Sequence, residues 1–237
     1  MRAIANPSLV DVDPPDDAVP SFRDREDAGT RLAQRLAAHR EANTLVLGIP
    51  RGGVPVAAAV ARALGAELDV LVARKLGAPI SPELAIGAVT ADGQRFLNES
   101  IVRDIGVSSA YLERVTREEL AEAARREARF RGGAPPASVA GRTVILVDDG
   151  LATGATMVAA LHSVRARKPA KLVCAVPVAS REALGKVAPY ADEVVCLESP
   201  ADFHAVGQFY EDFPQVGDHE VAQILRGQPQ PAAEHRA

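Results

Sequence analysis

Cysteine is scarce: Cys174 and Cys196 are the only two in 237 residues, each inside an apolar run and without metal-ligand spacing. They read as small reduced core residues of a cytoplasmic protein rather than as parts of a disulfide framework. Long hydrophobic runs are absent too. No stretch approaches the roughly 18 apolar residues that cross a bilayer, so no transmembrane helix is expected. No basic flank leads into an apolar segment at the N-terminus, so a secretory signal is not expected either. Basic charge is not in excess. The formal net charge is −4, which argues against a dedicated nucleic-acid binder. What remains is ordinary for a globular chain, 47% hydrophobic and 24% charged, and this excludes large-scale disorder. The length fits one α/β domain with additions.

Residues 1–20 mix Pro and Asp without periodicity and read as a mobile arm. Helical spacing then runs from 22 to 39, with Phe22, Leu32 and Leu36 on one side. The period changes at 44–49, a short apolar run followed by Pro50-Arg51-Gly52-Gly53 and an Ala/Val-rich helix to Leu64. Residues 68–73 read as a second buried strand. Residues 85–97 read as a hairpin turning at Ala91-Asp92-Gly93. From 108 to 131 a helix rich in Glu and Arg offers the i,i+4 pairs Glu113–Arg117 and Glu122–Arg126, the pattern of a solvated face. Three more strand-like runs come after it, at 143–147, 171–176 and 193–197. Residues 227–237 read as a disordered tail. Unalternating apolar runs separated by helices predict parallel strands covered on both faces. The fold class is therefore α/β: a doubly wound, mainly parallel sheet with an inserted hairpin, an extra helix and a small C-terminal hood at about 199–216, all within 21–226.

The chemistry-bearing stretch runs from Val144 to Thr156. Four apolar residues make a buried strand, and Asp148 and Asp149 stand where it emerges. Open α/β sheets place ligands at the carboxyl ends of their strands. Ala152, Thr153, Gly154, Ala155 and Thr156 then lead into a helix, whose first N–H groups and two threonine hydroxyls make a phosphate cradle. The paired carboxylates can accept hydrogen bonds from a vicinal diol, directly or through Mg²⁺. Such a site suits a sugar with a phosphate at one end and hydroxyls at the other. Taken alone, an Asp-Asp-Gly turn before a threonine cap would be merely structural; the full order is more specific. Arg51, Gly52 and Gly53 open a second helix after a core strand, and the glycines let the backbone approach an anion closely. Arg74 and Lys75 close the second strand, where paired cations could neutralise a leaving diphosphate or simply face solvent.

Residues 144–156 resemble the phosphoribosyl pyrophosphate (PRPP) motif of type I phosphoribosyltransferases, and the likeness extends over about 21–225 to a bacterial branch without a characterised activity. The resemblance implies that Asp148 and Asp149 contact the ribose hydroxyls and, in part through PRPP or water, Mg²⁺, while 152–156 hold the 5′-phosphate. It also implies that Arg51, Gly52 and Gly53 bind pyrophosphate on a loop that often holds a cis peptide. Arg74 and Lys75 look like the pair ahead of the mobile catalytic loop of orotate and adenine enzymes, here about 76–81. Some relatives in this branch are joined to an α/β-hydrolase, which makes a separate hydrolase a candidate partner alongside a homodimer.

The pattern also departs from the family. Ala152 replaces the acid of hypoxanthine- and guanine-specific enzymes, and the Lys and His of the orotate loop have no counterpart. Glu83 is the one carboxylate there, and it could serve as a base or equally be a surface residue after Pro82. Phe203, Phe209 and Tyr210 in the hood are candidates to stack on a flat acceptor or, equally, to pin the loop to the sheet. His162 and His219 read as helix residues without a metal role. The expectation is a Mg²⁺-dependent transferase acting on PRPP and a small-molecule acceptor; the alternative is a PRPP- or nucleotide-binding regulatory module without efficient transfer. Neither reading calls for a membrane or a specific nucleic acid.

Overall fold

The apolar run ahead of Asp148 becomes the middle of a parallel sheet. The structure, a computed structural model, describes residues 8–13, 21–41, 43–82 and 84–227. In chain order the elements are β1 (Ser8–Asp13), α1 (Arg25–Arg35), β2 (Thr44–Gly48), α2 (Gly53–Leu64), β3 (Glu67–Val70), β4 (Ala73–Gly77), β5 (Ala85–Thr90) and β6 (Arg95–Leu97). The second half comprises α3 (Glu99–Asp104), α4 (Ser109–Arg131), β7 (Thr143–Val147), α5 (Ala155–Ala166), β8 (Lys171–Val178), α6 (Arg181–Val187), β9 (Glu193–Glu198) and α7 (Asp218–Arg226).

The main sheet has the order β1-β9-β8-β7-β2-β3, every pair parallel. Its strands are apolar at successive positions because both faces are covered. In β7, Val144 and Leu146 enter a cluster with Met157 and Leu161 of α5. Ile145 and Val147 point the other way, into a cluster with Phe22, Leu32 and Val56 of the α1–α2 side. Cys174 and Cys196 are buried free thiols on β8 and β9, and burial pushes the thiol of Cys196 up to about 12, so neither is a reactive group. Among the described residues no helix is long and apolar enough to cross a membrane.

Three findings differ from the sequence reading. The run 68–73 is not one strand: β3 ends at Val70, and the chain turns through Leu71 and Val72 into β4, which belongs to a second, antiparallel sheet, β4-β5-β6. Arg74 and Lys75 therefore lie on β4, not at the end of a main-sheet strand. The backbone of 8–13, inside the arm expected to be mobile, pairs in parallel with β9 and extends the sheet edge. Its Leu-Val-Asp-Val stretch carries strand propensity that becomes visible only beside an edge to pair with. The rest of that arm, and the tail beyond Gly227, lie outside the described residues. Finally, the helix at 108–131 is not wholly a solvated face. The Glu122–Arg126 pair is made at 2.7 Å, but Val115, Ala123, Glu127 and Phe130 are buried.

The second sheet packs on α5 and α4 and is clamped at its turn. Asp92 Oδ1 accepts from the Thr90 hydroxyl at 2.6 Å, and Oδ2 accepts from Ser163 Oγ and Arg167 Nε, both at 3.0 Å. Burial alone would raise the Asp92 carboxyl; the Thr90 hydroxyl and the Arg167 charge outweigh it and hold the group below its usual range. An acid depressed by folding adds stability above its unfolded pKa and loses it as pH falls through the folded one, so the clamp loosens only in acid. Asp92→Ala is expected to cost about 1–2 kcal/mol and to speed amide exchange in 85–97 while 144–147 stay protected. Uniform exchange across both sheets would contradict a local clamp.

Candidate active site

Because β2, β7 and β9 are parallel neighbours or near neighbours, the segments that leave their carboxyl ends emerge on one edge. β2 and β7 pair in register, Gly48 opposite Val147, and the Ile49 N–H donates to the Val147 carbonyl at 2.9 Å. Residues 50–53 therefore lie against Asp148 and Asp149. The Pro50–Arg51 peptide is cis. Here the two glycines are required by close approach. A Cβ on Gly52 would fall on Asp149 Oδ2, and one on Gly53 would sit 2.8 Å from both Asp148 Cα and the Val147 carbonyl. No side chain fits between the two loops.

The carboxylates are not equivalent. Asp148 Oδ1 accepts from the Asp149 N–H at 2.9 Å. Burial first, and the neighbouring Asp149 charge second, push the Asp148 carboxyl well above the ordinary range. Burial raises Asp149 as well, but the Arg25 guanidinium opposes it, with Nε donating to Oδ2 at 2.9 Å. Arg25 is itself buried. Its Nη1 donates to the Pro214 carbonyl at 2.8 Å, and its guanidinium lies 3.8 Å from the centre of the Phe213 ring. Tyr210 donates its hydroxyl to the Asp149 carbonyl at 2.7 Å, and burial raises its phenol. Arg25 thus ties the acidic pair to the hood, a role absent from the sequence reading. One signal was present. Arg25 occupies the first turn of α1, directly after the cap Asp24, where a cation opposes the helix dipole and requires a carboxylate elsewhere.

After Asp149, Gly150 lies under the hood, since a Cβ there would meet Val206 at 2.6 Å. The Leu151 N–H donates to the Val178 carbonyl, and Ser180 Oγ holds the Ala152 carbonyl at 2.8 Å. Gly154 is left-handed, with φ 76°, at the cap of α5, and so turns the N–H groups of 155 and 156 outward along the helix axis. Ala152 and Thr153 are exposed. Beside Thr153 opens a cavity of about 880 Å³, whose lining includes Lys75, Thr153 and Thr156 together with Phe96, Leu97 and Tyr190.

Gly52 and Gly53 therefore lie against Asp148 and Asp149, and 152–156 follow the acids at the same sheet edge. The remaining candidates are placed differently. Arg74 and Lys75 line one groove together with Tyr111 and Glu119. Arg74 Nε is bound by Glu119 of α4 at 2.7 Å, and of the two only Lys75 lines the cavity that the threonines line. Phe209 and Tyr210 are buried among Phe22, Val178 and Leu197, and Phe203 packs on Phe209 with ring centres 5.4 Å apart. Burial makes the first two anchors of the hood rather than an open stacking surface. Glu83 lies outside the described residues.

The residues present can hold Mg²⁺ only in part. Among the described residues no group of three or more His, Cys, Asp or Glu is gathered for a metal. Asp148 and Asp149 would supply a fraction of an octahedral shell, the rest coming from a polyphosphate ligand and water. A partly buried acid pair with one arginine as counter-charge fits that shared arrangement.

Residues 21–214 match the model of the phosphoribosyl transferase domain, and the chain belongs to that family. It is 51% identical over 204 residues to proteins from two Mycobacterium tuberculosis strains, whose names assign them provisionally as phosphoribosyl transferases. The match covers 86% of this chain and 46% of theirs, so the chain spans about half the length of these curated relatives. A crystal structure from Thermus thermophilus superposes with a TM-score of 0.77 at 48% identity, over 86% of this chain and 97% of that one.

Proposed function

We propose that the chain transfers the 5-phosphoribosyl group of PRPP to a nitrogen nucleophile and releases pyrophosphate, with Mg²⁺ as cofactor. The observation that carries this reading is the meeting, at one sheet edge, of an acidic pair, a side-chain-free Gly-Gly loop and a small hydroxyl-bearing helix start. Asp148 and Asp149 accept hydrogen bonds from the ribose hydroxyls. The N–H groups of 152–156, with the Thr153 and Thr156 hydroxyls, bind the 5′-phosphate. The amides of 51–53 at the start of α2 receive the diphosphate, and Lys75 adds positive charge in the cavity that Thr153 and Thr156 line. Bound Mg²⁺ would spread the negative charge of the leaving diphosphate. The bond from the anomeric carbon to the diphosphate oxygen breaks, with its electron pair leaving on oxygen. The acceptor nitrogen forms the new bond, and its proton passes to water or to a base, for which Glu83 is the sequence candidate. Holding the ribose and both anions supplies rate through orientation.

The pairing of Asp149 with Arg25 favours a second reading, a PRPP- or nucleotide-binding module without turnover, because one carboxylate is already neutralised. Calorimetric titration with PRPP, with and without Mg²⁺, on the full chain and on Asp148→Asn tests the site. Mg²⁺-dependent binding that is lost in the variant is the expected result, and absence of binding by folded wild type overturns it. Pyrophosphate release over an acceptor panel then separates the transferase from the module.

A further inference from the structure

Arg51 is the one charged side chain of the 50–53 loop, and its guanidinium is engaged away from the acidic pair. Its Nη1 lies 3.6 Å from Asp218 Oδ1, at the first position of α7. Asp218 Oδ2 is held at 3.3 Å by Arg129 Nη1, which reaches over from α4. Oδ1 is buried yet makes no hydrogen bond. The contact with Arg51 is thus an ion pair just beyond hydrogen-bonding distance, and the Arg51 side chain remains 46% exposed and able to swing.

Resting on the reading of 51–53 as the diphosphate loop, we propose that Asp218 is a positioning residue. It is a resident carboxylate that occupies Arg51 until a diphosphate displaces it, and so sets the affinity of the loop for that anion. The physical case is an exchange of counter-ions. A diphosphate on the amides of 51–53 brings more negative charge within reach of Arg51 than one carboxylate offers, so Arg51 transfers. Asp218 is not left alone when this happens, because Arg129 remains paired with it. A partly buried carboxylate stripped of every partner would make the exchange costly; two arginines on one acid make it cheap.

Four consequences follow that a purely structural role does not produce together. Asp218→Asn removes the competitor, and pyrophosphate binding, measured by calorimetry with Mg²⁺ on the full chain, should tighten two- to fivefold, the scale of a part-exposed ion pair. Arg129→Ala leaves Arg51 as the sole partner of Asp218, and binding should weaken. In an Arg51→Ala background, adding Asp218→Asn should change nothing further, and Asp218→Glu should retain the wild-type affinity. Thermal melts on each variant confirm folding, and Arg129→Ala serves as the independent arm if Asp218→Asn fails to fold. Unchanged or weaker binding by folded Asp218→Asn, or a shift of the same sign in Arg129→Ala, overturns the proposal while leaving the diphosphate loop in place. Wild type that binds no pyrophosphate overturns the reading of the loop, and this proposal with it.

Discussion

Asp148→Asn is expected to raise the melting temperature while cutting turnover sharply, whereas Asp149→Asn should lower both. The difference arises from their surroundings. Burial and the adjacent Asp149 charge raise the Asp148 carboxyl, so folding holds a proton that the unfolded chain releases near pH 4. For an acid raised by folding, stability falls as pH climbs from the unfolded to the folded pKa, and the penalty is present at neutral pH. Asparagine removes it and keeps an oxygen to accept from the Asp149 N–H. Each kcal/mol relieved should appear as about 2–4 °C, and the slope of melting temperature against pH should flatten. Turnover, read as pyrophosphate release, should fall about 100-fold or more, as expected when a reacting sugar is held out of place.

Asp149 is also raised by burial, but it differs from Asp148 in being the partner of Arg25. Asp149→Asn strips the counter-charge from Arg25, in a pair whose side chains are only 10% and 15% exposed. Breaking such a pair costs about 3 kcal/mol, the low end of the range because the amide oxygen can still accept from Arg25 Nε. Equal melting temperatures for the two variants would show that the asymmetry imposed by Arg25 is not felt, and undiminished release by Asp148→Asn would remove that residue from the site.

The parts of this site legible in the sequence are those that depend on local order. Val144–Val147 announces a strand covered on both faces, and Asp148 through Thr156 announces the loop and helix start at its carboxyl end. Asp92-Gly93 marks the hairpin turn for the same reason. The features that stayed hidden depend on partners far along the chain. Residues 68–73 carry no turn signal, yet the chain leaves β3 at Val70 and enters the second sheet at Ala73. Arg74 beside Lys75 looked like one cationic clamp, and only the fold shows Glu119 taking the first of them. Aromatic residues in a hood suit either stacking or anchoring; burial decides for anchoring at Phe209 and Tyr210. The bond from Arg25 to Asp149 spans 124 residues, beyond any periodic pattern, and its trace was a cation misplaced at a helix start.

The same dependence on distant partners makes Arg131 the residue whose loss should most damage stability outside the site. At the end of α4 it donates from Nε to Asp69 at 2.8 Å, from Nη1 to Glu127, and from Nη2 to the Val70 carbonyl at 2.7 Å. The three charged side chains are 7–10% exposed. Arg131→Met would leave two neighbouring buried carboxylates without a counter-charge, at a cost of about 3–5 kcal/mol, or about 10 °C. A buried ion triad can often be replaced by apolar residues without loss. Here that exchange should fail, because the acids also serve the backbone. Asp69 accepts from the N–H groups of Val70 and Ala137, at 2.7 and 2.9 Å, and Glu127 accepts from Val72 at 3.1 Å. Leucine or methionine at all three positions would orphan these donors, each at roughly 1–3 kcal/mol. The triple variant should therefore melt well below wild type, and a melting temperature equal to wild type would refute this account. Glu127 grips the chain at Val72, where it leaves β3 for β4, so the loosened variants should also lose the placement of Lys75 in the cavity that Thr153 and Thr156 line. Weaker PRPP binding in the variants that still fold would connect this network to the site it supports.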